Sequence, residues 1–177
     1  MLPAHAEFSP SGQLDPSVTA ETIVASSQGE DNAFLSGGQS ASAASVSVAN
    51  HNTDVQATLF NANGTVDSAF DNPPFTYTGA TLAGFESPGA VAVQSNGQIV
   101  IAGSSFQDSS VFGLARLDTN GSLDSTFGNA GVLTTSFQGD DGATAVLIQP
   151  NGDIVAIGFS EDNSTRVTDI ALARYIG

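Results

Sequence analysis

Short apolar runs separated by tight polar turns extend along the second half of this chain. Apolar and small residues alternate in GAVAVQ at residues 89–94, and the turn residues Ser-Asn-Gly-Gln lead into the next apolar run. An Asn-Gly pair between two apolar runs is a strong signal for a β-hairpin. No stretch keeps the helical apolar period of about 3.6 residues, so the pattern predicts an all-β chain of short antiparallel strands.

Two sets of strands are predicted in this region. The run IVIAGS at residues 99–104 is almost continuously apolar, which is typical of an inner strand that is buried on both faces. In the first set the predicted strands are residues 89–94, 99–104, 112–118 and 122–127. In the second set the predicted strands are residues 143–149, 154–160 and 168–176.

The two sets are copies of one sequence unit. NGTVDSAF at residues 63–70 returns as NGSLDSTF at residues 120–127, SNGQIVIAG at residues 95–103 returns as PNGDIVAIG at residues 150–158, and LARL at residues 114–117 returns as LARY at residues 172–175. Because three segments recur in the same order at nearly the same spacing, an internal repeat determines the architecture.

A less regular copy precedes these two. GQLD at residues 12–15 matches GTVD at residues 64–67. DVQATL at residues 54–59 matches FGLARL at residues 112–117. These matches at both ends of the segment predict a degenerate first unit.

The inner strands of this first unit are harder to place. Residues 21–26 and 33–38 are expected to be its two middle strands, although residues 39–52 form a longer stretch than their counterparts in the later copies. The chain is therefore predicted to be one repeat domain, residues 1–177, with units at about residues 12–63, 64–120 and 121–177.

Repetition has a physical reason in the burial of sheet faces. One four-stranded unit has two faces and cannot cover both by itself, whereas stacked units cover one another. Radial stacking of four-stranded units about an axis gives a β-propeller. We therefore expect an all-β, propeller-like array of about three four-stranded antiparallel units.

Several segments of the chain, taken in order, resemble the delta-60 repeats. They are NGSLDSTFG at residues 120–128, GVLTTSF at residues 131–137, AVLIQPNGDIVAIGFS at residues 145–160 and DIALARY at residues 169–175. The resemblance is good over residues 62–177 and poor before them. It implies a β-propeller-like fold without transferable catalytic residues. Since the family occurs in large exported bacterial proteins, it also implies an extracellular or cell-surface location.

The charge of the chain narrows the classes of partner. There are 18 acidic and 3 basic residues, which give a net charge of −15. Such a surface repels phosphate backbones and anionic lipids, so we expect neither a nucleic-acid partner nor membrane insertion. The absence of cysteine excludes disulfides and thiolate chemistry. An Ala-x-Ala pattern at residues 4–6 is a weak indication of export.

The phase of the repeat predicts how copies could join. The sequence begins in what reads as the fourth strand of a unit, GQLD, and ends just after a third strand at residues 171–177. Propellers have about four to eight blades, so three units would not close alone. Two chains could complete a ring, a strand could insert into a neighbour and build a filament, or the sequence could be a fragment of a longer chain. The predicted assembly residues are Gly12, Gln13, Leu14, Asp15, Leu172, Arg174 and Tyr175.

Two acidic loops are candidate calcium sites. Asp118, Asn120 and Asp124 place oxygen side chains at alternating positions, as a Ca²⁺ loop does, but no downstream glutamate follows. Asp140 and Asp141 lie in an acidic glycine loop before a strand. An ordinary Asn-Gly hairpin explains the first loop and a solvated turn explains the second, so Ca²⁺ is only a candidate cofactor.

Arginine and aspartate also recur at fixed positions of the repeat. Arg116 and Arg174 match each other, and Asp67 and Asp124 match each other. Buried Arg–Asp pairs are the expected reason. Simple two-residue hairpins would put Arg116 and Asp124 on opposite faces of one sheet, which leaves open whether the partner lies in the same unit or in the next one.

The predicted function is structural and not enzymatic. We expect an exported protein whose partner is itself, with subunits joined head-to-tail or into a ring by strand complementation. The alternative is an extracellular binding module that uses loops to hold a glycan or a calcium-dependent ligand. A hydrolase is the second alternative; the only histidines are His5 and His51, and the chain has no tryptophan to form an aromatic sugar-binding cleft.

Overall fold

The computed structural model describes residues 31–35, 37–47, 53–70, 85–106 and 109–177. This part of the chain contains ten strands and no helix. The strands are β1 (Asp31–Phe34), β2 (Ser40–Ser47), β3 (Thr53–Phe60), β4 (Phe85–Val93), β5 (Ile99–Phe106), β6 (Ser110–Leu117), β7 (Val132–Thr135), β8 (Asp140–Ile148), β9 (Ile154–Glu161) and β10 (Thr168–Tyr175). In these residues no helix is long and apolar enough to cross a membrane.

The strands form three antiparallel sheets that correspond to three units. Unit 1 has the order β1-β2-β3, unit 2 has the order β4-β5-β6-β7, and unit 3 has the order β8-β9-β10. In unit 2, Ile99 lies opposite Leu117, and in unit 3, Ile154 lies opposite Tyr175. The same register holds for both sheets, so the prediction of an all-β, propeller-like array is confirmed and residues can be matched between the units.

The first hairpins of units 2 and 3 form where the sequence places Asn-Gly pairs. Gly97 has a φ of 86°, in the left-handed region that a glycine adopts without steric cost. The side-chain oxygen of Asn96 accepts a hydrogen bond from the backbone N–H of Gln98 at 3.0 Å. This contact closes the turn between β4 and β5, and Asn151 makes the equivalent contact in unit 3.

A second glycine position is fixed by close approach of two strands. Gly103 of β5 and Gly158 of β9 occupy matching places beside a β-bulge in the first strand of their unit. A side chain at Gly103 would collide with the carbonyl oxygen of Ser87, and one at Gly158 would collide with that of Gly142. The glycine that follows the apolar run in units 2 and 3 is therefore required by packing.

The middle unit is buried on both faces, as its apolar run predicts. Ile99 and Ile101 of β5 pack into a core shared with unit 1. Val100 and Ala102, which point the opposite way, pack into a core shared with unit 3. Alternate residues of one strand thus join the three units in a row, with unit 2 in the middle.

The fourth strand of unit 2 is not where the sequence analysis placed it. Residues 122–127 make one bridge to β6, at Leu123, and then turn away. The strand that completes the sheet is β7, which pairs with residues 112–115 of β6. The carboxylate of Asp124 accepts the backbone N–H of Thr126 at 2.9 Å, and this contact stabilises the turn at residues 125–127 that follows the bridge. By this equivalence, GQLD at residues 12–15 matches a bridging segment and not a fourth strand.

The strands of unit 1 also differ from the prediction. Residues 33–38 hold the end of β1 and part of a turn, and the middle strand is β2, inside the long stretch of residues 39–52. Residues 21–26 lie outside the described part of the chain. Ser40 pairs with Phe60 as Ile99 pairs with Leu117, so the counterpart of Leu117 is Phe60 and not Leu59. Leu59 therefore occupies the place of Arg116 in this unit.

Candidate functional site

Unit 3 presents an apolar face that points away from the rest of the described structure. Ile154 and Ala156 of β9 pack towards unit 2. The alternate side chains of the sheet point the other way. We call this set the outer face of unit 3; it consists of Leu147, Val155, Ile157, Phe159, Ile170, Leu172 and Arg174.

The matching face of unit 2 shows what such a face normally contacts. Phe112 and Leu114 of β6 are 0% exposed because unit 3 covers them. Their counterparts on β10 are Ile170, which is 88% exposed, and Leu172, which is 58% exposed. The same two apolar positions are therefore completely buried in one unit and open in the next.

The edge of unit 3 is open as well. In unit 2 the outer edge of β6 is covered by β7. In unit 3, β10 is the last strand of its sheet, and no other described strand pairs with it on that side. An uncovered edge strand exposes backbone donors and acceptors that can pair with another segment.

Arg116 of unit 2 forms a buried ion pair within its own unit. Its Nε lies 2.8 Å from Oδ2 of Asp124, and both side chains are at most 10% exposed. The guanidinium also lies over the ring of Phe127, 4.6 Å from the centroid. Gln98 adds two hydrogen bonds of 2.9 Å from its side-chain amide, one to Oδ2 of Asp124 and one to Oδ1 of Asp118. The arginine partner that the sequence left open is thus Asp124 of the same unit.

The surroundings of Asp124 stabilise its ionised form. Hydrogen bonding from the hydroxyl of Thr126 is the largest cause, and the backbone N–H of Thr126 and Arg116 act in the same direction. Desolvation opposes them. The net result is that the pKa of Asp124 is lowered from its ordinary value of 3.8 to about 2.

Acid should therefore weaken the fold in a defined pH window. Because the folded-state pKa of Asp124 lies below its unfolded value, its contribution is complete above about pH 4 and is lost as the pH falls towards 2. We expect the difference in unfolding free energy between wild type and Asp124→Asn to shrink by roughly 2 kcal/mol over this window. Denaturant unfolding at about pH 5 and pH 2 measures it. A difference that stays constant would contradict the assignment.

Arg174 occupies the position of Arg116 in unit 3, but its surroundings differ. Its side chain is 65% exposed, and its nearest carboxylate is Asp153, at 3.6 Å. Asp153 matches Gln98, so this contact does not correspond to the pair between Arg116 and Asp124. Arg174 therefore has no described counterpart of Asp124.

The predicted assembly residues separate into three groups. Leu172 and Arg174 lie together on the outer face of unit 3. Tyr175 lies on the opposite face, where its hydroxyl is 2.8 Å from Oγ1 of Thr135 in β7, and burial raises the pKa of Tyr175. The residues of the N-terminal segment, Gly12, Gln13, Leu14 and Asp15, lie outside the described part of the chain.

The first candidate calcium loop already uses its oxygen atoms in protein hydrogen bonds. Oδ1 of Asn120 accepts the backbone N–H of Ser122 at 3.0 Å and its hydroxyl at 2.7 Å. Asp118 and Asp124 accept from Gln98. Within the described ranges, no three or more histidine, cysteine or acidic side chains are grouped so that they could hold a metal ion.

The second candidate loop lies at the start of β8. Asp141 is fully buried, and its Oδ2 accepts the backbone N–H of Phe137 at 2.7 Å, while its Oδ1 has no hydrogen-bond partner among the described residues. Asp140, beside it in β8, is half-buried. Calcium binding at either loop stays a prediction.

A comparison with protein families agrees with this geometry. A family model described as a domain of unknown function (DUF5122), beta-propeller, matches residues 94–127. These residues run from the turn after β4 through β5 and β6 to the buried Phe127. The chain is a propeller-like repeat protein. A comparison with curated proteins finds no match to it.

Two residues of the candidate site were not predicted from the sequence. Ile170 is the most exposed apolar residue of the outer face, and Phe127 supports the arginine of unit 2. Ile170 could have been found by matching it with Phe112, since both follow the first two residues of the third strand in their units. Nothing in the sequence alone indicates that Phe127 lies under Arg116.

Proposed function

We propose that this protein is a structural, self-assembling module in which a second copy covers the open side of unit 3. The observation that carries the proposal is the contrast between Ile170 and Leu172, which are exposed, and Phe112 and Leu114, which are buried at the matching positions. An array of stacked sheets gains stability wherever another sheet covers such a face. The outer face of unit 3 thus carries the kind of apolar side chains that are buried between units 2 and 3.

Strand complementation is the proposed mode of assembly. The N-terminal segment of one copy would occupy the open edge of β10 in another, which would join subunits head-to-tail or close two chains into a ring. Backbone hydrogen bonds along the edge would supply affinity, and the apolar outer face would supply the hydrophobic contribution. Burying a leucine or isoleucine side chain contributes roughly 1.5–3 kcal/mol.

The location of the protein belongs to the same proposal. Membership of the delta-60 repeats in particular, and residence outside a bacterial cell, are supported by the segments at residues 120–128 and 169–175. An acidic surface with a net charge of −15 is compatible with a role that does not involve nucleic acids.

The test is the mass of the species in solution for three proteins. Sedimentation analysis of wild type should show a dimer or longer polymers. A variant lacking residues 1–26 should fold, as judged by circular dichroism, but remain monomeric. A variant lacking residues 1–10 is the matched control, since it keeps GQLD at residues 12–15.

The outcomes separate the parts of the proposal. A dimer of wild type indicates a ring, and polymers indicate a filament. If wild type is monomeric at about 100 μM, a range where weak self-association is still detected, self-assembly is wrong. If the variant lacking residues 1–26 assembles like wild type, the contact does not use the N-terminal segment, and pairing of two unit 3 faces becomes the explanation.

A further inference from the structure

We propose that Asp15 of a second copy forms an ion pair with Arg174, so that GQLD of one chain completes unit 3 of the other. This inference rests on the proposed function and gives its interface a specific register. In that register Leu14 lies opposite Tyr175, and Asp15 takes the place that Asp124 has beside Arg116. The occupant of the open edge is thus residues 12–26 of a second copy.

Unit 2 provides the complete form of this arrangement. Leu123 bridges to Leu117 at the end of β6. The backbone N–H of Asp124 then donates to the carbonyl oxygen of Arg116 at 2.9 Å, and the two side chains pair at 2.8 Å. A single short segment therefore covers the strand end and neutralises the arginine.

Unit 1 shows that this segment adopts the same position without an arginine. Val66 bridges to Phe60, and the backbone N–H of Asp67 donates to the carbonyl oxygen of Leu59 at 2.8 Å. The carboxylate of Asp67 accepts the backbone N–H of Ala69 at 2.9 Å, as Asp124 does with Thr126. The Gly-x-apolar-Asp segment is thus held in place by its backbone hydrogen bonds. Its aspartate can form an ion pair where the preceding strand carries an arginine.

The sequence at the N-terminus contains this same segment. Gly-Gln-Leu-Asp at residues 12–15 differs from Gly-Ser-Leu-Asp at residues 121–124 only in its second residue. The last strand of unit 3 ends in Ala-Arg-Tyr, and the strand it matches in unit 2 ends in Ala-Arg-Leu. Among the described residues, no carboxylate pairs with Arg174 as Asp124 pairs with Arg116, and residues 12–15 contain a matching carboxylate.

The residues that follow extend the match to the missing fourth strand. Val132 is the first residue of β7. The sequence separation between Gly121 and Val132 equals the separation between Gly12 and Ile23. β7 pairs Val132 with Ala115. The equivalent register places Ile23 opposite Ala173 and lets residues 23–26 run along β10. A short strand would then continue from the ion pair along residues 170–173 of the open edge.

The order of the units favours a second copy as the source of the segment. The N-terminal segment precedes unit 1, and unit 2 lies between unit 1 and unit 3. The outer face of unit 3 points away from both. A second copy can bring the segment to that side without crossing the cores of its own chain. A segment that folds back within one chain is an outcome that the experiment detects.

Charge reversal tests the pair directly. The variants are Asp15→Arg, Arg174→Asp and the double variant, and self-association is measured by sedimentation at several concentrations. Each single variant should weaken association at least about tenfold, because two charges of the same sign then face each other in the interface. The double variant should restore association to within about threefold of wild type. Arg166→Asp is the matched control, since Arg166 is an exposed arginine of unit 3 whose partner is Glu161.

Mixing the two single variants identifies where the segment comes from. If it comes from a second copy, an equimolar mixture of Asp15→Arg and Arg174→Asp chains should assemble. In the mixture, the substituted position 15 of one chain faces the substituted position 174 of the other, and the natural Asp15 faces the natural Arg174. If the segment folds back within its own chain, mixing restores nothing and the intermolecular pair is wrong. Circular dichroism of each variant checks that the substitution leaves the fold intact.

The remaining outcomes distinguish this inference from the proposed function. If wild type assembles and both single variants assemble equally well, the proposed function survives and the Asp15–Arg174 pair is wrong. The pair is equally wrong if the single variants weaken association and the double variant fails to recover it. If wild type is monomeric at every concentration, the proposed function itself fails.

Discussion

Replacing Asp124 with asparagine should lower the free energy of unfolding by about 3–5 kcal/mol, the usual cost of breaking a buried ion pair from one side. The substitution leaves the guanidinium of Arg116 buried without a counter-charge. It also turns an acceptor that serves two donors, Arg116 and Gln98, into a group that can present its own N–H to them. Equilibrium unfolding in urea at neutral pH measures the loss.

Asp67→Asn is the matched control for this change. Asp67 holds the same position in unit 1 and caps the same kind of turn, but Leu59 stands where unit 2 has its arginine. Among the described residues the control removes no ion pair, so its cost should stay below about 1 kcal/mol. Equal losses at the two positions would mean that turn capping, and not the Arg116–Asp124 pair, accounts for the effect.

Polar substitution of the outer face of unit 3 should abolish assembly without unfolding the monomer. The double variant Ile170→Ser and Leu172→Ser removes the two most exposed apolar side chains of β10. Losing about 3 kcal/mol of hydrophobic contribution corresponds to an association constant at least about 100-fold weaker. Because both side chains are exposed in the single chain, thermal unfolding of the monomer should change little.

The control for this experiment is Val167→Ser. Val167 is also apolar and exposed, but it lies in the turn before β10 and outside the outer face. It should assemble like wild type. Undiminished assembly of the Ile170 and Leu172 double variant would remove the outer face from the interface. Sedimentation at matched concentrations is the measurement in each case.

The sequence predicted the fold best where the hydrophobic pattern and the turn chemistry agree. The inner strand of residues 99–104 was placed almost to the residue, and its burial on two faces followed from its continuous apolar character. Asn-Gly pairs located the hairpins because only a few residues tolerate the left-handed backbone of those turns. The repeat then transferred both features to unit 3.

The prediction failed where a side chain redirects the backbone. Residues 122–127 have the apolar spacing of a strand, but the carboxylate of Asp124 binds the N–H of Thr126 and ends the pairing after one bridge. In unit 1, β2 is made largely of serine and alanine, so it lacks the apolar signal that marks β5 and β9. Neither effect can be recognised from the local hydrophobic pattern of the sequence.

The candidate site was predictable only in part. Leu172 and Arg174 were singled out because they lie in the last predicted strand, which a neighbour would complete, and both lie on the outer face of unit 3. The partner of Arg116 could not be chosen from the sequence, because that choice depends on how residues 118–124 fold back over β6. The exposure of Ile170 likewise depends on whether another unit covers it, and the identity of the residue does not indicate this.

The alternating side chains of β5 have a consequence for how the molecule loses its structure. The core between units 1 and 2 combines the small side chains of Ala41, Ala43 and Ala57 with the larger ones of Val55 and Leu59 from the same unit. The core between units 2 and 3 contains Phe112, Leu114 and Ile154. Because β5 contributes side chains to both cores, either outer unit can detach and leave behind a pair of units that keeps one of the two cores. In a stacked array of this kind, each interface melts with its own energy, and the protein is expected to lose its structure one unit at a time.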